Sequence, residues 1–579
     1  MNILGISCFY HDAAAALAID GVPVAGAQEE RFTGCKHDAD FPIHAINFCL
    51  EKGGLKIEDI DAVFFYDKPF LKFDRILNGY LQTVPLSYPA FRLAIPVWLR
   101  EKLWTPHVIK SKLHYHGDIY FIEHHLSHAA GSYYTSPFDR AAILTVDGVG
   151  EWATASIGKA SGTDIKIIKT MNYPHSVGLL YSAFTYFLGF TVNSSEYKVM
   201  GLSPYGQPLY ADLIEREIVK VFADGSIHLD LKYLKFHHGL TMTSKRLERL
   251  LGRPRRESGQ ELTQSDKDIA ASIQAVTEKI IFSMACHTRE ITGENNLCMA
   301  GGVALNCAAT GKLLKSGLFE QIHVQPASSD SGGAVGAALY GHYALTGQNK
   351  KIKIPASPPG PLYKSADISN FLGENKIPHT KHPLPELAGL VAQRLAEGKI
   401  VGLFQGPMEF GPRALGFRSI LADPRDSDMK ARLNEAVKFR EPFRPFAPVV
   451  TQDRAGEYFD CDGPSPYMLF NFIVREDKRS RIPAVTHIDG TARIQTVNER
   501  ENPFLYDILN EFDRLTGVPV LLNTSLNLRG WPIVRTPRAA FATFISSGLD
   551  ILIMEDCLLD KSVIIPADFP SYKIMSRTD

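Results

Sequence analysis

None of the eight cysteines in this 579-residue sequence is spaced as C-x-x-C, which excludes a zinc ribbon and leaves no sign of a disulfide framework. Scattered cysteines fit a reducing compartment, so a cytoplasmic location is the default expectation. Charge of one sign is not in excess either. Lysine and arginine number 62, aspartate and glutamate 63, and the formal net charge is −1, which argues against general nucleic-acid binding or a membrane-surface role. Long hydrophobic runs are missing: the best candidate for a span, residues 91–103, is broken by Arg92, Pro96 and Arg100. The opening Met1-Asn-Ile-Leu-Gly-Ile has no basic region and reads as a buried strand rather than a signal peptide. What is present is an ordinary globular composition, 45% hydrophobic and 22% charged, in a chain long enough for two or three cores.

Residues 3–7 and 13–19 are apolar runs, and Asp20-Gly21 is a strong hairpin turn before residues 22–27. A second copy follows at 141–146, with Asp147-Gly148 and then residues 152–157. Repetition of strand, polar turn and strand predicts a duplicated domain with a turn from each half facing a common cleft. Further on, the apolar run 296–300 enters Gly301-Gly302 and a helix-forming segment, placing backbone amides where anions or ribose hydroxyls bind. Residues 349–369, with Pro355, Pro358, Pro359, Gly360 and Pro361, form the best linker in the chain. Beyond it, 384–397 has helical amphipathic spacing and 400–404 reads as a buried strand, so a second α/β domain is expected.

His124 and His128 stand four apart, which on a helix sets both imidazoles on one face, suited to a single metal ion. His125 and His128 form a competing pair. Asp147 ends a strand-like run, and Asp330 precedes a small-residue helix. Two imidazoles and two carboxylates make a hard-to-borderline donor set for Fe(II), Mn(II) or Zn(II).

Blocks throughout the chain carry a family likeness. They include Phe9-Tyr10-His11-Asp12-Ala13-Ala14, Glu29-Glu30-Arg31-Phe32 with Lys36-His37-Asp38, residues 124–130 and Val146-Asp147-Gly148-Val149-Gly150-Glu151. Lys198-Val199-Met200-Gly201-Leu202 with Pro204-Tyr205-Gly206, then residues 301–306 and 405–416, follow in order. Residues 440–448, 489–493 and Asn523-Thr524-Ser525-Leu526-Asn527 complete the set. In these blocks the sequence resembles the O-carbamoyltransferases of the NodU/CmcH/TobZ type. The resemblance implies an α/β protein with a duplicated actin-like (ASKHA, TsaD-like) N-terminal domain over 1–348, a linker over 349–368 and a YrdC-like α/β domain over 369–579. At three places the residues are bulkier than that family pattern: Tyr197, Phe417 and Trp531.

The implied activity has two steps. The YrdC-like site condenses carbamoyl phosphate with ATP, and its Mg2+, to give carbamoyl adenylate and pyrophosphate. The carbamoyl group then passes at the metal site to a hydroxyl of a small-molecule acceptor, a sugar or natural product, and AMP leaves. Arg413, Lys438, Arg444 and Arg493 supply charge to screen two polyanions, with Asn523 and Ser525 as neutral donors. His124, His128, Asp147 and Asp330 hold a divalent transition metal, Fe(II) being favoured by the resemblance. His11 is the candidate general base, Lys36 a contact to nucleotide phosphate or acceptor, and Gly301, Gly302 and Asn306 a cradle for the adenylate.

Other functions account for less. A sugar-kinase-like ATPase explains the hairpins and the Gly-Gly turn but not the histidine pair or the basic C-terminal blocks. A threonylcarbamoyl-tRNA-type enzyme calls for a basic surface that a net charge of −1 does not offer. A hydrogenase-maturation carbamoyltransferase calls for C-x-x-C pairs. A non-catalytic nucleotide-binding regulator leaves two reactive constellations without use.

Overall fold

The computed structural model of the protein describes residues 1–575 and 577. The chain forms two compact units. The first comprises Met1–Glu29 and His37–Pro358, the second Glu30–Lys36 and Pro359–Asp579. Seven residues from the N-terminal part of the chain, Lys36 among them, thus belong with the C-terminal unit.

The first unit holds two five-stranded sheets of the same design. In one, Asn2–Ser7, Ala14–Ile19 and Val22–Gln28 form an antiparallel meander. Ala62–Phe65 and then Asp118–Phe121 add in parallel on the other side of Asn2–Ser7. In the other, Arg140–Val146, Ala153–Ser161 and Asp164–Asn172 form the meander. Asn296–Ala300 and Gln321–Val324 then add in parallel beside Arg140–Val146. The order and the strand directions repeat strand for strand, which is the duplicated domain expected from the two strand–turn–strand copies in the sequence. The Asp20-Gly21 turn has φ of +48° and +79°, the left-handed pair that a two-residue type I′ hairpin needs.

In each half a helix follows the fifth strand: His124–Thr135 in one, Asp330–Thr346 in the other. They pack against each other with almost nothing between their backbones. A Cβ on Gly336 would lie 1.8 Å from the carbonyl oxygen of Ser127, and one on Gly5 2.0 Å from that of Ala334. The small-residue run from Ser331 to Ala338 is therefore a packing requirement, letting the helix lie close to both its partner helix and the first sheet.

Between the third and fourth strands of the second half lies a long insertion that includes Gln264–Thr292, capped by a reciprocal Thr263–Asp266 capping box. This helix is long and apolar enough to cross a membrane, contrary to the expectation from the sequence, but 67% of its apolar window is buried inside the protein. A second insertion, between the fourth and fifth strands of the first half, carries the helices Pro69–Gln82, Tyr88–Arg100 and Thr105–Leu113.

The second unit is built on one mixed sheet of eight strands. Its order is Thr380–Lys381, Cys557–Asp560, Ile551–Met554, Val401–Phe404, Arg418–Ala422, Val520–Ser525, Ala447–Thr451 and Gln495–Val497. Helices Leu384–Ala396 and Pro503–Thr516 pack against each other, contributing Leu387, Val391, Ile508 and Phe512 to a single large core.

Gly336→Ala is expected to destabilise the protein by about 2–3 kcal/mol, the cost of overpacking at backbone contact. Gly389→Ala, on helix Leu384–Ala396 with nothing within 4 Å of the new Cβ, is expected to stabilise by up to about 1 kcal/mol. Denaturant unfolding of both variants checks the contrast, and equal effects would refute the close-crossing account.

Candidate active site

The topology of the first unit carries side chains from distant segments to one point. His124 is the first residue of the helix after the fifth strand of one half, and Asp330 is the first residue of the corresponding helix in the other. Asp147 follows the first strand of the second half. His128 lies one turn beyond His124, so both imidazoles share a face as the spacing predicts. The four side chains are buried, and one ligand atom from each lies within 4.8 Å of all the others.

The separations fit a coordination shell. Metal–ligand bonds of about 2.1 Å place neighbouring donors roughly 3.0–3.4 Å apart and opposed donors about 4.2 Å apart. His124 Nε2 is 3.1 Å from Asp147 Oδ2 and 3.1 Å from His128 Nε2. Asp330 Oδ1 is 3.6 Å from each of the two imidazole nitrogens, and His128 Nε2 is 4.0 Å from Asp147 Oδ2. Two imidazole nitrogens facing each other at 3.1 Å, with carboxylates on either side, is an arrangement that a divalent ion of the Fe(II), Mn(II) or Zn(II) kind satisfies. The competing pair is not formed: His125 turns away, its Nδ1 3.0 Å from Ser156 Oγ. Burial, then the nearby His124, pushes His125 down to about 3, so it stays neutral.

Supporting groups fix these four. Gly302 N–H donates to Asp147 Oδ1 at 2.9 Å, and Glu151 accepts the His124 N–H at 3.0 Å and the Lys68 N–H at 2.8 Å. Tyr66 O–H reaches Asp330 Oδ2 at 3.5 Å. Burial by itself would raise Asp147, but the His124 bond and the two imidazoles hold it well below the usual carboxylate range.

His11 lies in the turn between the first two strands, its Nε2 3.9 Å from Asp330 Oδ2 and its Nδ1 3.4 Å from Asp12 Oδ2. Asp12 is itself held by His37 Nδ1 at 2.7 Å and by Ser329 Oγ at 3.1 Å. Burial pushes His11 down, but Asp330 and then Asp12 outweigh it and carry the ring up to about 10. The turn from each half, one with His11 and Asp12 and one with Asp147, thus faces the same cluster.

The Gly301-Gly302 turn has a local reason for its composition. Gly301 has φ +87°, and a Cβ there would sit 2.3 Å from the carbonyl oxygen of Val146. Asn306 caps the helix Cys307–Lys315 through Ala309 N–H at 3.2 Å and pairs side chain to side chain with Gln274. Gln274 also accepts from Tyr181 O–H at 2.8 Å. No signal in the sequence pointed to Gln274, which lies inside a long helix.

In the second unit, strand pairing brings the other candidates to one end of the sheet. Ser419 pairs with Ser525, Ala447 with Asn523, and Val449 with Gln495, so Arg413, Arg444 and Arg493 all sit on segments entering the sheet from that end. The loop bearing Arg413 is tied down by Glu409, which accepts from the backbone of Leu415, Phe417 and Arg418 at 2.7–3.1 Å. Asn523 and Gln495 donate to the carbonyls of Ala414 and Leu415, and Arg31 donates to that of Gly411 at 2.7 Å. Lys438 is engaged within the protein, donating to the carbonyl of Ser525 and to Asn527 Oδ1 at 2.9 Å. Burial, then Arg440 and Arg444, pushes its ammonium well down. Arg418 is fully buried over the Phe404 ring, 3.7 Å from its centroid, and donates to the Gln405 carbonyl at 2.7 Å.

With this geometry in view, the relatives are informative. The family model described as carbamoyltransferase N-terminus matches residues 2–339, and that described as carbamoyltransferase C-terminus matches 392–561. The chain belongs to the carbamoyltransferase family and is a carbamoyltransferase enzyme. It is 46% identical over 595 aligned residues to the uncharacterised protein sll1178 of Synechocystis sp., covering 97% of each chain. It is 38% identical over 573 aligned residues to the nodulation protein NolNO of Sinorhizobium fredii, covering 97% of this chain and 80% of that one.

If the cluster is a metal site, purified protein carries a transition metal detectable by elemental mass spectrometry. His128→Ala and Asp330→Asn are each expected to lower affinity for that metal on the order of tenfold or more. Wild-type protein that takes up no divalent metal on titration would leave the four residues as a hydrogen-bonded network only.

Proposed function

We propose that the enzyme makes carbamoyl adenylate from carbamoyl phosphate and ATP in the second unit and transfers the carbamoyl group to an acceptor hydroxyl in the first. In the first step, water releases phosphate from carbamoyl phosphate. A carbamate oxygen then bonds to the α-phosphorus of ATP as pyrophosphate departs with Mg2+. Arg413, Arg444 and Arg493 would supply guanidinium charge to hold the two anions against their mutual repulsion. Lys438 shapes the Ser525–Asn527 turn, and Asn523 steadies the Arg413 loop.

In the second step, the acceptor oxygen bonds to the carbamoyl carbon, the bond from that carbon to the phosphate oxygen breaks, and AMP leaves. Gly301, Gly302 and Asn306 lie on the turn that would take the adenylate. A divalent ion held by His124, His128, Asp147 and Asp330 would supply Lewis-acid stabilisation of charge developing on oxygen. His11 takes the hydroxyl proton at Nε2. Asp330, the leading one of the carboxylates that raise His11, is among the residues that would hold a dication. A dication there would offset the Asp330 charge and so weaken one contribution that raises His11, Asp12 supplying another, and the neutral ring is the form that can act as a base.

The convergence of His11 with the four-residue cluster is the observation that carries this reading. Its test is pyrophosphate release from ATP that depends on carbamoyl phosphate and needs no acceptor. His11→Ala is expected to leave that partial reaction within about twofold of wild type and to lower transfer by about 100-fold or more. Absence of carbamoyl-phosphate-dependent pyrophosphate release would overturn the first step, and joint loss of both activities in His11→Ala would overturn the assignment of His11.

A further inference from the structure

The helical insertion between the fourth and fifth strands of the first half exposes an apolar face that the proposed chemistry does not use. On helix Tyr88–Arg100 the buried side chains are Ala90, Ile95 and Trp98. The opposite stripe, Arg92, Leu93, Pro96, Val97 and Arg100, faces outward at helical spacing. A helix on a water-soluble protein normally turns polar residues outward. Here the outward stripe is apolar at its centre and cationic at both ends. Leu93 is 63% exposed, and Leu86, on the turn leading into the helix, 67%.

Charge separates the possible occupants of this face. The exposed charges of residues 69–113 are Arg92, Arg100, Lys110 and Lys112 against Asp74 and Glu101, although the whole chain is balanced. A second copy would set Arg92 and Arg100 against the same cationic rim. An anionic phospholipid surface accepts both features, the acyl region taking Leu86, Leu93 and Val97 and the headgroups taking the arginines. We infer that this insertion docks the enzyme on an anionic phospholipid surface. The opposite side of the insertion lines a cavity through Lys72, Trp98, Lys102 and Thr105, together with Phe9 and Tyr10 beside His11. Docking therefore sets the insertion between the lipid and that cavity. The inference stands on the exposed stripe and its charge, and does not depend on the assigned chemistry.

The test is sedimentation of the full chain with vesicles of phosphatidylcholine alone or with phosphatidylglycerol added, at low and raised salt. Binding is expected only with phosphatidylglycerol and is expected to weaken as salt rises. Each arginine near an anionic surface is worth about fivefold in affinity, so Arg92→Gln with Arg100→Gln is expected to weaken binding about 25-fold. Leu93→Ser with Val97→Ser is expected to weaken it about tenfold or more. All four positions are exposed, and thermal unfolding of both double variants is expected to match wild type. Three results would overturn the inference: no binding to phosphatidylglycerol vesicles, binding unchanged in both variants, or a wild-type dimer that Leu93→Ser with Val97→Ser converts to monomer.

Discussion

Where Gly336 meets the carbonyl of Ser127, no side chain separates two helices that begin in different halves of a duplicated fold. That contact fixes the distance between the first turn of one helix, with His124 and His128, and the first residue of the other, Asp330. Because the halves share one topology, His124 and Asp330 occupy matching places in each. The cluster is thus assembled across the axis of the duplication, from one imidazole pair and one carboxylate that are equivalent in position but not in chemistry. Asp147 joins from the first strand of the second half, and Gly302 aims its carboxylate by a backbone bond. A side chain on Gly301 would push that strand away. The glycines around this site therefore serve geometry first, and any ligand they receive meets a turn already bound to Asp147.

Burying two carboxylates and two imidazoles removes charge from water, which is costly unless opposite charge or hydrogen bonds compensate. Here the compensation is mutual: the histidines hold Asp147 and Asp330 down, and the carboxylates hold His124 and His11 up. Such a network is sensitive to any cation added to it. Charge compensation is therefore shared across the cluster and His11 rather than carried by any one pair.

Much of the first unit was legible in the sequence because its signals are local. Asp20-Gly21, the apolar runs beside it and the second copy at Asp147-Gly148 are turn and strand patterns within a few residues of each other. The histidine pair was legible for the same reason, since helical spacing decides which side chains share a face. His125 could be separated from its neighbours only once Ser156 was seen to face it. Glu151 and Gln274 were not legible, because what they do depends on a backbone amide 27 residues away in one case and an asparagine 32 residues away in the other. The long helix Gln264–Thr292 escaped notice as an apolar element because its Glu278 and Lys279 interrupt the run while the surrounding face is buried.

The basic residues of the second unit show most plainly what composition leaves open. Arg413 and Lys438 look alike in the sequence as candidates for anions, and Arg418 is a further cation in the same stretch. Arg418 lies flat on Phe404 with its donors on backbone carbonyls, and Lys438 is held by Ser525 and Asn527. Both hold loops in place, and their burial means that an incoming phosphate would have to displace bonds already formed. Arg413 stands instead on the loop that Glu409, Asn523 and Gln495 hold in position. The end of the sheet is thus built by interior cations and by backbone bonds to the loop that carries Arg413, contacts that the spacing of basic residues in the sequence does not reveal.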